Sequence, residues 1–126
     1  MKKILVIVFL FSLMASAVAQ EEMPDSIPFN KHRNVAVVQY GIASYYHDKF
    51  EGRQTANGDI FTQAKMTAAS NTLPLNCWVR VTDTLRKKSV VVRINDRMHH
   101  RNKRVIDLSR TAARKLGFIG RGLVYV

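Results

Sequence analysis

The sequence predicts a mainly β fold, a small closed or nearly closed barrel with one short helix, and three observations carry that prediction. Short β-branched and aromatic runs recur from Val35 onward. A single helical signature appears late, after Ser109. Once an N-terminal leader is set aside, about 107 residues remain, enough for one domain with a modest core.

The leader comes first in the chain. Met1, Lys2 and Lys3 precede an apolar run from Ile4 to Met14, and small residues then lead to Ala17-Val18-Ala19 before Gln20. A charged region, an apolar region and an A-x-A site in that order predict a signal peptide over residues 1–19. The apolar run is too short to span a bilayer, and no later segment approaches the roughly 20 apolar residues a membrane helix needs. Lipoprotein precursors carry Cys at the first mature position, where this chain has Gln20, so no lipid anchor is expected. Residues 20–34, QEEMPDSIPFNKHRN, hold Pro24 and Pro28 without apolar periodicity and predict a tether of low order. Residues 35–126 are the expected domain.

Within that domain VAVVQYGIASYY predicts one or two strands. Trp78, Arg80 and Thr82 alternate with Val79 and Val81, which predicts a half-buried strand over 78–82. The run from Ser89 to Asn95 reads as a more central strand, because it is apolar on both alternations. DTLRKK between them suits a hairpin connection. RVIDL at 104–108 and LVYV at the C-terminus supply two more short strands. Ser109 is a natural N-cap, Ala112, Ala113 and Leu116 share a face, Arg114 and Lys115 lie near the C-terminal end, and Gly117 follows as the left-handed cap. At about two turns, that helix needs the sheet to pack against.

Twenty basic residues face nine acidic ones. The leader takes two of the 20 and none of the nine, leaving +9, a surface suited to polyanions. Export makes anionic envelope polymers or membrane surfaces better partners than nucleic acid. Cys77 is the only cysteine and cannot close an intramolecular disulfide, so it reads as a small core residue.

GIASYYHDKFEGRQTANGDIF, MTAASNTLPLNCWVRVTD, SVVVRINDR, RVIDLSRTAARKLGF and a final GLVYV resemble, segment by segment, the double-psi β-barrel domain of the rare lipoprotein A family. The resemblance covers residues 39–126 and implies a six-stranded double-psi barrel. It also implies lytic transglycosylase activity on peptidoglycan, in a barrel related to plant expansins. Family members commonly carry a Cys lipid site and a C-terminal peptidoglycan-binding module. They often have His where this chain has Ser70, and an acidic residue where it has Thr62.

Asp96 ends the apolar strand and opens DRMHH, so the barrel would carry its carboxylate to the rim; by local pattern alone a turn-capping Asp is the commoner case. With the resemblance, Asp96 becomes the candidate acid. A lytic transglycosylase needs only one, because the same group protonates the glycosidic oxygen and then, as a base, takes the proton of the muramoyl 6-hydroxyl. That group has to begin protonated. Asp59, beside the Asn57-Gly58 turn, is the second catalytic candidate, placed by the resemblance across the cleft to stabilise developing positive charge or to act on Asp96 by like-charge proximity; a solvated turn Asp is the other reading.

Tyr45, Tyr46, Phe61 and Trp78 could stack on sugar faces, with one of the adjacent tyrosines pointing outward. Arg53 and Arg97, with Arg80 and Arg93, could pair with lactyl or peptide carboxylates, and Ser70 is a further substrate-binding candidate. Asp107 reads as structural, accepting backbone or Ser109 hydrogen bonds. His99 and His100 do not make a metal site with Asp96, since neighbours on a loop point apart, and Ser70 lacks a triad. No cofactor, metal or nucleic acid is expected. The expected partners are peptidoglycan glycan strands and cell-division or envelope proteins, engaged by an exported, periplasmic or secreted monomer without a stable membrane anchor. Two alternatives stand beside transglycosylation: a non-catalytic, expansin-like glycan-binding module, which Ser70 and Thr62 favour, and a binder of anionic surfaces by charge alone.

Overall fold

The structure, a computed structural model, describes residues 37–126. The leader, the tether and the first two positions of the predicted first strand lie outside the described residues. β1 is Ile42–Tyr45, β2 Thr67–Ala69, β3 Trp78–Thr82, β4 Ser89–Asp96, β5 Ile106–Leu108, α1 Arg110–Leu116 and β6 Val124–Tyr125. They form one six-stranded sheet in the order β3-β4-β2-β5-β1-β6.

β4 organises the barrel. Val90, Val92 and Ile94 point inward and are buried, while Val91 and Arg93 lie on the other face. It pairs antiparallel with β3, from Trp78 opposite Arg93 to Thr82 opposite Ser89, and parallel with β2. β5 pairs parallel with β1 and antiparallel with β2, so the two halves of the chain interleave. The sheet curls until its edges meet: the Thr84 amide, two residues past β3, donates to the Tyr125 carbonyl of β6 at 3.2 Å. Closure removes the open edges that a six-stranded sheet would otherwise expose.

The core holds Val81, Val90, Val92, Ile94, Ile106, Leu108, Leu116 and Phe118. α1 covers it with Ala112, Ala113 and Leu116. Ser109 Oγ accepts from the Ala112 amide at 3.3 Å, and Gly117, at φ +90°, donates to the Ala113 carbonyl at 2.9 Å. Both caps stand where the sequence places them. The 83–88 connection is a hairpin whose buried Asp83 accepts from the Leu85 and Arg86 amides at 2.9 and 3.0 Å. Cys77 is half-buried against the core, and burial pushes its thiol above the ordinary range.

Several elements differ from the sequence expectation. β2, Thr-Ala-Ala, was not expected as a strand; all three residues are buried, so no alternation marks it. β5 and β6 are shorter than RVIDL and LVYV, and only Ile42–Tyr45 of the first apolar run pairs as a strand. Among the described residues, no helix is long and apolar enough to cross a membrane.

Candidate active site at the barrel rim

Asp96 is the last residue of β4, and its carboxylate is held by three donors from three parts of the chain. Oδ1 accepts from the Ala56 amide at 2.9 Å and from the Arg97 amide at 2.8 Å. Oδ2 accepts from the Tyr46 hydroxyl at 2.6 Å. The Asp96 carbonyl accepts from the Ser70 amide at 3.1 Å, which fastens the strand end to the loop after β2.

The Ala56 amide is presented by a tight loop. Thr55 donates to the Asp59 carbonyl at 2.8 Å, Gly58 donates to the Thr55 carbonyl at 3.0 Å and takes φ +93°, and Asn57 donates to the Asn95 carbonyl at 3.1 Å. Positive φ at Gly58 is what lets the loop turn back here. Successive loop residues thereby serve the two carboxylates: Ala56 donates to Asp96, while Asn57 Nδ2 donates to Asp59 Oδ2 at 3.1 Å.

Asp59 also receives Arg93 and, at 3.4 Å, Asn95 Nδ2. The Asn57 hydrogen bond, joined by Asn95, Arg93 and Lys65, holds its carboxyl below the usual carboxylate range against a smaller opposing effect of burial. It lines a cavity of about 290 Å³ with Thr62, Lys65, Thr67, Arg93 and Asn95. A larger open groove of about 650 Å³, along Ile42, Leu123 and residues 101–104, contains neither carboxylate.

A family model described as lytic transglycolase, a double-psi β-barrel, matches residues 38–126. The chain belongs to this family. It is 49% identical over 86 residues to the endolytic peptidoglycan transglycosylase RlpA of Haemophilus influenzae, and 54% identical over 86 residues to that of Pasteurella multocida. Each match covers 68% of this chain but only 30% and 29% of those proteins. The RlpA of Neisseria meningitidis serogroup A is 44% identical over 96 residues, 76% of this chain and 40% of that protein. The chain thus spans well under half the length of these curated relatives. Among solved structures, the Streptomyces papain inhibitor aligns with TM-score 0.55 and 24% identity, over 72% of this chain and 92% of that one, and shares the fold.

In this RlpA-family barrel, the residues expected at the site part company. Tyr45 ends β1 and Tyr46 follows it; Tyr45 packs on the main core and Tyr46 in a second cluster with Phe61, so neither tyrosine points outward, as one was expected to. Tyr45 packs edge-on against Phe118 and donates to the Ile119 carbonyl at 3.0 Å, on the core side away from Asp96. Tyr46 stacks on Phe61, ring centres 4.2 Å apart, and meets Phe50 edge-on at 5.6 Å. Phe61 is itself 2% exposed, so it supports the stack and offers no sugar platform. Burial first, and then the Asp96 hydrogen bond, push the Tyr46 phenol well above its ordinary range, so it stays a donor. Exposed Arg53 lies over Phe50, 5.1 Å from the ring centre, and borders this cluster.

Ser70 is wholly buried and cannot touch a sugar; its Oγ accepts from the Thr72 and Leu73 amides at 3.3 and 3.2 Å and caps that turn. Arg97 sends Nη1 to the Ser70 and Leu73 carbonyls at 2.6 and 2.8 Å, bracing the same turn. Asp107 is structural as expected, yet its partner is Arg104, which forks onto it at 2.7 and 2.9 Å. The His99 and His100 rings do not point apart: their centres lie 4.3 Å from each other. Among the described residues, no three His, Cys, Asp or Glu side chains gather as metal ligands.

Gln63 was not singled out in the sequence and proves central. Its Nε2 donates to the Tyr46 carbonyl at 2.9 Å, and its Oε1 accepts the Arg110 amide of the first turn of α1 at 2.7 Å. It locks the strand end that bears Tyr46 to the start of the helix. No local pattern marks it, because its side-chain partners, Asp48 included, are 15, 17 and 47 residues away.

Proposed function

We propose that this domain is an endolytic peptidoglycan lytic transglycosylase, cleaving the MurNAc-GlcNAc bond and leaving 1,6-anhydro-MurNAc ends. The observation that carries the reading is Asp96, a single carboxylate fixed at the barrel rim by Ala56, Arg97 and Tyr46. Membership of the lytic transglycolase family and the names of its RlpA relatives support it.

In its protonated form Asp96 gives its proton to the glycosidic oxygen as the bond to C1 breaks. The carboxylate left behind takes the proton of the 6-hydroxyl as O6 bonds to C1. Acid and base are the same group, no water is consumed, and Asp96 ends as it began. Asp59, ionised beside Arg93, supplies negative charge near the developing oxocarbenium ion. Peptidoglycan strands are the partner, reached by export on the Met1–Ala19 leader to the periplasm or beyond, with cell-division or envelope proteins as recruiters.

Incubation with purified sacculi, with mass spectrometry of the soluble products, tests the reading. The expected result is anhydro-muropeptides from the parent chain, and none from Asp96→Asn with sacculus binding retained. Full turnover by Asp96→Asn would remove Asp96 from the mechanism. A second reading, a non-catalytic expansin-like glycan binder, is favoured by Ser70 and Thr62: the Ser70 hydroxyl is enclosed in a turn, and Thr62 Oγ1 accepts the Ala64 amide at 3.3 Å. Retention on sacculi without product would establish it.

A further inference from the structure

We propose that Tyr46 is a positioning residue that makes Oδ2 of Asp96, and not Oδ1, the oxygen that carries the proton through the reaction. The inference rests on the reading of Asp96 as the acid.

A carboxylate oxygen offers two in-plane acceptor sites. Both sites of Oδ1 are taken by backbone amides, Ala56 at 2.9 Å and Arg97 at 2.8 Å. An amide donates and cannot accept, so a proton on Oδ1 would expel one of the two and leave it unpaired. Oδ2 carries one donor, the Tyr46 hydroxyl at 2.6 Å, and keeps its other site for a proton or for the reacting oxygen of the glycan. A hydroxyl can donate to Oδ2 whether or not that second site holds a proton.

The hydroxyl is directed at Oδ2 by packing around the ring and by hydrogen bonds to its backbone. Phe61 stacks on one face at 4.2 Å and Phe50 meets it edge-on at 5.6 Å. The Tyr46 amide donates to the Leu108 carbonyl at 2.9 Å, and its carbonyl accepts from Gln63 at 2.9 Å. Rotation of the Asp96 carboxylate would break three hydrogen bonds together. With its ionisation pushed upward, the phenol keeps its own proton throughout: it orients Oδ2 and exchanges nothing. A ring so enclosed serves the acid, and the sugar-stacking role expected for Tyr46 falls away.

Kinetics on solubilised glycan strands, following release of anhydro ends by the mature chain, tests this. Tyr46→Phe keeps the ring and loses one hydrogen bond to a charged group, for which kcat is expected to fall about tenfold to a hundredfold. KM and the melting temperature are expected to hold, and Tyr46→Phe is expected to add nothing in an Asp96→Asn background. Unchanged kcat in Tyr46→Phe while Asp96→Asn is inactive overturns the inference and leaves Asp96 as the acid. Parallel losses of kcat, KM and thermal stability overturn it in favour of a structural role. An active Asp96→Asn overturns both readings. Phe61→Leu, which frees the ring but keeps the hydroxyl, supplies a second test: kcat is expected to fall with KM held, and an unchanged kcat counts against the inference even if Tyr46→Phe fails to fold.

Discussion

Gln63→Ala is the perturbation whose size follows most directly from the geometry. The substitution removes three side-chain hydrogen bonds: Nε2 to the Tyr46 carbonyl at 2.9 Å, the Arg110 amide to Oε1 at 2.7 Å, and an exposed third from Nε2 to Asp48 Oδ1 at 3.2 Å. It leaves the two backbone bonds of residue 63, to Glu51 Oε2 and from the Thr111 amide, in place. A part-buried hydrogen bond contributes about 1 kcal/mol net, so the first two contribute about 2 kcal/mol, and the exposed third adds little beside them. In a domain of this size 1 kcal/mol corresponds to roughly 4–8 °C, which gives a fall of about 8–16 °C in melting temperature. Gln54→Ala is the control. It loses one long exposed bond, to the Gly58 carbonyl at 3.5 Å, and as an ordinary surface change should stay within about 0.5 kcal/mol. Differential scanning calorimetry on parent and both variants measures the contrast. If Gln63→Ala melts within the range of Gln54→Ala, the link between helix and Tyr46 carries no stability and the reasoning fails.

Asp59, whose folded carboxyl titrates below its ordinary value of 3.8, stabilises the native state above that pH and loses the contribution as pH falls through the lower, folded value. Urea midpoints of the parent should therefore drop more steeply below about pH 4 than those of Asp59→Asn, and parallel curves would show that Asp59 is not coupled to folding. Ser109→Ala removes the N-cap of α1, with an expected cost of about 1 kcal/mol. Gly117→Ala meets no close neighbour, the nearest being Lys88 Nζ at 3.6 Å, but forces a Cβ onto φ +90° and should cost a similar amount through the backbone alone. Chemical denaturation of the two variants checks both.

What the sequence made legible follows the range of the interactions involved. Both caps of α1, the alternation of Trp78–Thr82 and the continuous apolar run of Ser89–Asn95 are local, and residues within a few positions of one another determine them. The place of Asp96 at a strand end was legible in the same way, whereas its candidacy as the acid rests on the resemblance. β2 was not, since Thr67, Ala68 and Ala69 are small, buried on both faces and without period. The parallel pairing of β1 with β5 and β2 with β4 has no local signature at all. Ser70, Arg97 and Asp107 were read as polar groups facing outward or onto the backbone. Their actual partners, the 71–73 turn for the first two and Arg104 for the third, decide otherwise. Tyr46 was assigned to the site for its aromatic ring, and it is the hydroxyl that meets Asp96.

The interleaving of the two halves has a consequence for timing. The Asp96 carboxylate draws two of its three donors from 40 and 50 residues upstream, and Tyr46 is in turn fastened to Leu108, far downstream. Tyr46 and Ala56 are thus made well before Asp96, but the strand that fastens Tyr46 is made after it, and β5 has to lie between β1 and β2 before Tyr46 is held. A fragment that ends before β5 keeps Asp96 and its three donors but lacks the Leu108 carbonyl that holds Tyr46, so the arrangement around Asp96 belongs to the whole sheet and to no part of it.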